Sequence, residues 1–296
     1  MKECFLSGDT LKRLEELEKE YGLKGDLEEK IRELIDCFVS NNNKTSFHDV
    51  SKSVTLPDPL TCFIISFLSA KDINSFSLAS KFCSRVAKRE ELWYRKCLLD
   101  YGEDRVKSLR ETHSTLTWHE IYRNCAPFEF DTKFTRSDIR ILSKSSVDTT
   151  NLRWAFARSK NIYREGVHEF TVKILKLEGE RGLVHVGVAY GISKIFNSYL
   201  GETKNGFSIY DGNKAYNNGK SKEVPNGLNK YWRSGDEVKI IVDLDQHTLS
   251  TEIGEVRSVI FTHIPSKVYF ASTTGDCVFK VDHKFLGRNK KNGHLN

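Results

Sequence analysis

The sequence has no apolar run long enough to cross a bilayer. Its densest apolar stretch, Cys62 to Ala70, spans nine residues, whereas a membrane helix needs about 20. Residues 1–20 also lack an apolar core of signal-peptide length. The sequence therefore predicts a soluble protein that is not secreted and has no membrane partner.

The cysteines are too few and too scattered for a zinc site or a disulfide framework. There are seven, an odd number, and no Cys-x-x-Cys occurs, which excludes a zinc-finger or RING-type cross-brace. Most stand among apolar neighbours, as small buried hydrophobic residues do in a reducing compartment. We therefore expect a cytoplasmic location, with the nucleus as a second one.

Motifs for chemistry are missing as well. Neither a Gly-x-Gly-x-x-Gly nor a Walker loop occurs. The segment from Asp211 opens like a calcium loop, but Ala215 and Lys222 replace two ligands. His119 and Cys125, the nearest His–Cys pair, have a spacing that does not place them on one helix face. The sequence predicts a protein that is not an enzyme and has no cofactor or metal.

Along most of the chain, neither basic nor acidic residues form a cluster of one sign. The net charge is +6, but lysine and arginine alternate with aspartate and glutamate instead of forming a basic stripe. This pattern is typical of an ordinary solvated surface, so we expect no nucleic-acid partner.

The chain divides into two halves whose patterns of apolar residues differ. Residues 1–50 predict a helical hairpin and a polar linker, and 51–126 predict further helices, with a capping box at Thr117-x-x-Glu120. From 127 to 286, short alternating segments follow one another with turn signals between them, and 287–296 form a polar tail. The predicted fold class is multidomain α and β: an all-α domain followed by an antiparallel β-sandwich.

The alternation is clearest in four segments of the second half. Each places three apolar residues on one face of a strand. They are Phe170/Val172/Ile174, Val184/Val186/Val188, Val238/Ile240/Val242 and Cys277/Phe279/Val281.

The first apolar helix of the helical half has too much apolar surface for its own small domain. Pro57 and Pro59 mark its first turn, and we expect it to run through Leu68. Apolar residues lie all round it, so part of its surface is expected to face another chain.

The stretch "LPDPLTCFIISFLSAKDINSFSLASKFCSRVAKREELWYRKC" resembles an F-box. The matching positions include Leu56, Pro57, Leu60, Ile64, Leu68, Leu78, Phe82 and the late Leu92-Trp93 pair. This resemblance implies that Leu56, Pro57, Leu60, Ile64, Leu68, Leu78 and Phe82 dock on a Skp-type adaptor, and through it on a cullin.

The second half resembles a SPRY domain, a concanavalin-like jelly roll. The blocks "EGVHEFTVKI", "LVHVGVAYG", "NGFSIYDGNKAYNNGK" and "SGDEVKIIVDLDQHTLSTEIGEV" occur in the usual SPRY order. An F-box followed by a SPRY domain implies a non-catalytic substrate receptor of an SCF ubiquitin ligase, whose second domain binds a short peptide motif of a target.

The resemblance also implies where the target binds. It carries a shallow pocket to Lys144 in the first loop, Tyr199 before "LGETKNG", and Thr273-Thr274-Gly275 before the final strand. Trp154 has two interpretations: a peptide anchor beside Arg153 and Arg158, or a core residue alternating with Leu152 and Phe156.

Two alternative functions stay open at this stage. The helical half could serve a partner unconnected with ubiquitin, and the sandwich could bind carbohydrate, because its architecture is shared with lectin-like folds.

Overall fold

The computed structural model describes residues 58–78, 80–135, 138–152, 154–178, 183–191, 198–210, 214–224, 232–253 and 256–288. The chain divides into two compact units between Arg123 and Asn124, whereas the sequence predicts the boundary at residues 126–127. The predicted hairpin of residues 1–50 and residues 289–296 of the tail lie outside the described residues.

The first unit is helical. Its described helices are α1 (Asp58–Ser66), α2 (Ala70–Ser77), α3 (Lys81–Ala87), α4 (Glu90–Tyr101), α5 (Glu103–Thr112) and α6 (Trp118–Asn124).

Serine and threonine caps separate these short helices. The Ser69 hydroxyl accepts from the Asp72 amide at the start of α2, and the Ser80 hydroxyl accepts from Cys83 at the start of α3. The predicted capping box before α6 is confirmed, since the Thr117 amide donates to Glu120 Oε2 at 2.9 Å and the Glu120 amide donates to Thr117 Oγ1 at 3.2 Å.

The helical core forms where α1 to α4 meet. Its fully buried members include Cys62, Ile73, Val86 and Leu92. Trp93 joins them and satisfies its indole N–H by donating to the Ala87 carbonyl at 2.8 Å. Burial of each large apolar side chain stabilises such a core by about 1.5–3 kcal/mol.

The first helix is shorter than its apolar run predicts. It ends at Ser66, whose hydroxyl donates to the Phe63 carbonyl at 2.6 Å. The amides of Phe67 and Leu68 bond three residues back, which tightens the chain into a turn before Ser69 caps α2. The prediction that α1 continues to Leu68 is therefore wrong, because side-chain bonds to the backbone terminate the helix.

The second unit is a sandwich of two antiparallel sheets. Its strands are β1 (Arg140–Ser143), β2 (Ser146–Asp148), β3 (Ala155–Arg158), β4 (Val167–Leu177), β5 (Leu183–Ala189), β6 (Gly206–Tyr210), β7 (Lys214–Asn217), β8 (Lys220–Glu223), β9 (Glu237–Asp243), β10 (Thr248–Ile253), β11 (Val256–Thr262), β12 (Tyr269–Gly275) and β13 (Cys277–Gly287). One sheet has the order β1-β2-β13-β4-β9-β10-β11, and the other β3-β12-β5-β6-β7-β8. The predicted fold class is confirmed.

The core lies between the two sheets and is filled by the predicted alternating residues. The four triads named above, one each from β4, β5, β9 and β13, are all buried in one cluster. A strand that buries one face must hold its register, because a slip by one residue would turn this face outward.

The predicted binding residues at the end of β12 lie in the strand itself and not in a loop. Thr273, Thr274 and Gly275 belong to the strand, with β3 paired on one side of the two threonines and β5 on the other. The turn to β13 consists of Asp276 alone, with φ at 51°. One aspartate in the left-handed region redirects the chain from the six-stranded sheet to the seven-stranded one, so no longer loop is needed.

Candidate functional site

The helical unit exposes two large apolar side chains between α2 and α3. Leu78 is 87% exposed and Phe82 is 40% exposed. The Arg85 guanidinium lies 5.3 Å from the centroid of the Phe82 ring, within cation–π distance. Single exposed apolar residues are common, but Leu78 caps α2 and Phe82 lies in the first turn of α3, so one short segment presents both.

The first helix separates an inner face from an outer one. Thr61, Cys62 and Ile65 are buried, whereas Ile64 is half-buried on the opposite side. Phe63 and Phe67 share that outer side and meet edge to face, with ring centroids 5.3 Å apart. The outer side of this segment therefore carries two aromatic rings beside Ile64. The predicted docking residues Leu60, Ile64 and Leu68 recur at helical spacing, which predicts that they form one ridge.

The predicted ridge does not lie on one surface. Leu68 packs against the helical core, while Ile64 is on the outer face. The structure does not describe Leu56, Pro57 or the side chain of Leu60.

The sandwich carries a cluster of five rings on the outer face of the six-stranded sheet. We call it the aromatic platform: Trp154, His185, Tyr199, Tyr210 and Tyr216. The His185 imidazole lies between the rings of Tyr199 and Tyr210, stacked at centroid distances of 5.0 and 4.5 Å. The Trp154 indole is 5.7 Å from both His185 and Tyr199. Tyr216 is 5.4 Å from His185.

Strand alternation places three of these rings together. His185 stands between the core residues Val184 and Val186, so its side chain points to the opposite face. It pairs directly with Tyr210 on β6. Tyr216 follows the core residue Ala215 on β7, the next strand.

Tyr199 is brought to the platform by a hydrogen-bonded loop before β6. The Gly219 amide at the β7–β8 turn donates to the Gly201 carbonyl at 3.0 Å, and the Asn218 amide donates to Thr203 at 3.2 Å. Gly201 has φ at 101°, and a Cβ placed there would lie 2.5 Å from the Tyr216 carbonyl oxygen. Only glycine fits this approach, so Gly201 holds Tyr199 against the sheet.

Trp154 reaches the platform through an unusual backbone conformation. Its φ is 58°, in the left-handed region that bulky residues seldom adopt. Such a conformation costs about 1–3 kcal/mol and is concentrated at functional sites. Trp154 therefore precedes β3 instead of alternating within a strand, and the core interpretation of this residue is wrong, since its indole packs on the outer rings.

The centre of the platform is uncharged. His185 is almost completely buried, and desolvation lowers its pKa to about 3. Its Nδ1 lies 3.2 Å from Ser208 Oγ, and that hydroxyl donates to the Leu200 carbonyl. Desolvation, followed by the negative charge of Glu202, raises the pKa of Tyr199. At neutral pH these rings thus carry no formal charge.

The other predicted target-binding residues lie in different places. Thr273 faces His185 across β12 and β5, but neither it nor Thr274 has exposed surface. Thr274 Oγ1 lies 3.1 Å from Thr149 Oγ1 inside the fold. A target could reach these threonines only indirectly, and their binding role stays a prediction, as does that of Gly275 at the end of β12.

Lys144 lies at the other end of β3 from Trp154. Its carbonyl accepts from the Phe130 amide, and Phe130 forms a bridge with Ser159, next to the last residue of β3. The lysine side chain is exposed.

His185, Tyr210 and Tyr216 are site residues that the sequence reasoning did not select. The signal was present in "LVHVGVAYG", where a histidine occupies the face opposite to three valines. Alternation predicts that it points away from the core, but it does not show which rings surround it.

Part of the helical unit matches a known protein family. Residues 54–99, which include α1 to α3 and most of α4, match the family model described as F-box-like. The helical unit contains an F-box-like segment. The match covers less than half of the chain, and a search of curated proteins found no match.

The sandwich is similar to solved structures of low sequence identity. The SPRY domain of human HERC1 is 16% identical, with 54% of this chain and 99% of that chain covered, at a TM-score of 0.44. The TRIM65 PSpry domain is 12% identical, with 53% and 89% covered, at 0.42. Stonustoxin is 15% identical, with 56% and 28% covered, at 0.41.

Two further observations concern the described residues alone. None of their helices has the length and apolar character of a membrane span. They also contain no group of three histidine, cysteine or acidic side chains placed to hold a metal ion.

Proposed function

We propose that this protein is a non-catalytic substrate receptor of a ubiquitin ligase. Its F-box-like segment docks on a Skp-type adaptor, and through it on a cullin, while the sandwich binds a target protein. The protein acts in the cytoplasm and the nucleus. The observation that carries the proposal is that the F-box-like match coincides with the exposed apolar residues Leu78 and Phe82.

An adaptor supplies the apolar contact that these residues lack in the described chain. Large apolar side chains at the centre of an interface contribute most of its affinity, and truncation of one typically costs about 2 kcal/mol or more. Arg85 beside Phe82 adds a cation whose stem can cover the same patch.

The platform supports target binding by the second unit. It combines half-exposed aromatic rings with a hydrogen-bonded loop, and such preorganised aromatic surfaces bind partners at low entropic cost. A receptor of this kind needs no chemistry of its own, because tethering raises the effective concentration of target lysines near the charged conjugating enzyme.

Adaptor docking is tested by Leu78→Asp in the full chain. The side chain is almost fully exposed, so the change should leave the melting temperature unaltered while it abolishes co-purification of the adaptor and the cullin. The matched control is Leu175→Asp, another exposed leucine, on β4 of the sandwich. If the Leu78→Asp variant recovers as much adaptor as the wild type, the proposal is contradicted.

Target binding is tested by Tyr199→Ala. Proximity labelling in cells should lose a subset of partners but keep the adaptor. If every partner is retained, the target surface lies elsewhere on the molecule.

A further inference from the structure

The platform offers hydrogen-bond donors that have no partner among the described residues. The rings of Trp154, Tyr199 and Tyr216 are half-exposed, and their indole N–H and hydroxyl groups form no hydrogen bond to a described residue. Phenol and indole groups normally find a partner when a ligand or the fold covers them. A ligand on this surface should therefore present acceptors.

The rings themselves favour a ligand with compact apolar groups. Tyr199 and Tyr216 meet edge to face at 5.3 Å, and Trp154 adjoins Tyr199 at an interplanar angle of 47°. Their half-exposed faces form a ridged aromatic surface instead of a deep cavity. Such a surface suits compact apolar rings that pack face to face without entering a pocket.

A polyproline II segment has both properties. Its backbone carbonyls make no internal hydrogen bonds, and proline has no N–H that would need an acceptor. Its pyrrolidine rings are apolar and project at regular intervals. Aromatic-lined surfaces with free indole and phenol donors bind such segments in several unrelated folds.

Two exposed charged residues border the platform: Lys214 pairs with Tyr210 across β6 and β7, and Glu202 follows Tyr199 in the chain. Glu202 is exposed, and its amide bonds to the Tyr199 carbonyl at 3.1 Å, which keeps its backbone beside the platform. Its field reaches the Tyr199 phenol. A basic residue next to the prolines would complement this carboxylate.

We propose that the aromatic platform binds a proline-rich segment in the polyproline II conformation, flanked by a basic residue that faces Glu202. The proposal rests on the proposed function, since it names the target motif of the same site. The close packing of Gly201 against Tyr216 positions Tyr199, and the prolines preorganise the ligand. Little conformational entropy is therefore lost on binding.

The test uses the full chain and fluorescein-labelled peptides, measured by fluorescence anisotropy. Arginine-octaproline should bind saturably, whereas arginine-octaglycine of the same length should not. Tyr199→Ala should weaken binding at least tenfold, about 1.4 kcal/mol. Tyr199→Phe keeps the ring and loses only the donor, so it should have a smaller effect that separates hydrogen bonding from loss of fold.

The charge is tested by Glu202→Lys, an exposed position. This variant should weaken binding of arginine-octaproline and strengthen binding of glutamate-octaproline. The control is Glu237→Lys, an exposed glutamate on β9 of the other sheet.

Three results would overturn the inference. They are the absence of saturable binding to octaproline peptides, equal binding of the glycine peptide, and binding of cellohexaose in their place, which would indicate a glycan site. If any of these occurs while Tyr199→Ala still loses its partners in cells, the receptor function stands and only the proline motif is wrong. If the peptides bind but no partner in cells depends on Tyr199, the platform chemistry is right and the receptor function is wrong.

Discussion

Acid should destabilise the sandwich through its buried histidines, and His168 isolates one such contribution. His168 on β4 has no exposed surface, and its Nε2 lies 2.9 Å from the Glu165 carbonyl oxygen. Because a carbonyl only accepts, Nε2 carries the proton. Nδ1 then accepts from His283 Nε2, 3.0 Å away. A second proton on His168 would require His283 to change tautomer and accept, and it would place a positive charge in a buried site.

The magnitude follows from the difference between the folded and unfolded chains. Desolvation lowers the pKa of His168 from 6.5 to about 4 in the folded protein. Between these values the unfolded chain binds more protons, so stability falls as the pH falls. The contribution is fully present above 6.5. About 2 kcal/mol is lost by pH 5, and about 3 kcal/mol once the pH is below 4.

The measurement must follow the sandwich apart from the helices. Hydrogen exchange of β4 and β13 peptides does so, when exchange free energies are corrected for the pH dependence of the chemical rate. We expect the wild type to lose about 2 kcal/mol more than His168→Gln between pH 7.5 and pH 5.

His263→Gln, at an exposed position, serves as the control and should behave like the wild type. Equal losses in the wild type and in His168→Gln would refute the reasoning, because the acid sensitivity would then arise from other groups.

The remaining predictions concern the two binding surfaces and the chemistry. Gly201→Ala should displace Tyr199 and abolish target binding while the sandwich stays folded by circular dichroism; target binding at wild-type affinity would show that the loop is not the positioning element. Leu60→Ala with Ile64→Ala should weaken adaptor binding about thirtyfold or more, measured by calorimetry; unchanged affinity would remove α1 from the interface. The purified protein should form no reducible ubiquitin adduct when it is incubated with charged conjugating enzyme. Burial raises the pKa of Cys277 to about 12, and the other described cysteines are also buried. Detection of such an adduct by mass spectrometry would contradict this prediction.

The order of helices and strands could be predicted from local patterns because those patterns are periodic. Period-two alternation in β4, β5, β9 and β13 is imposed by the pleat, so each strand and its core face follow from its own residues. The capping box at Thr117 is equally local, since it involves groups three positions apart. The F-box resemblance is also carried by one contiguous stretch, and the family match covers the same residues.

The platform could not be predicted in this way, because its members come from five separate segments. Tyr199 and His185 are brought together only by a loop that folds back onto the sheet, and Trp154 only by a left-handed residue before β3. Thr273 and Thr274 were predicted to belong to a binding loop at the edge of the sandwich. They belong to the sheet instead, because strands pair with them on both sides. Tertiary contacts decided which side chains stay exposed, since exposure depends on what packs from elsewhere in the chain, and local sequence carries no information about that.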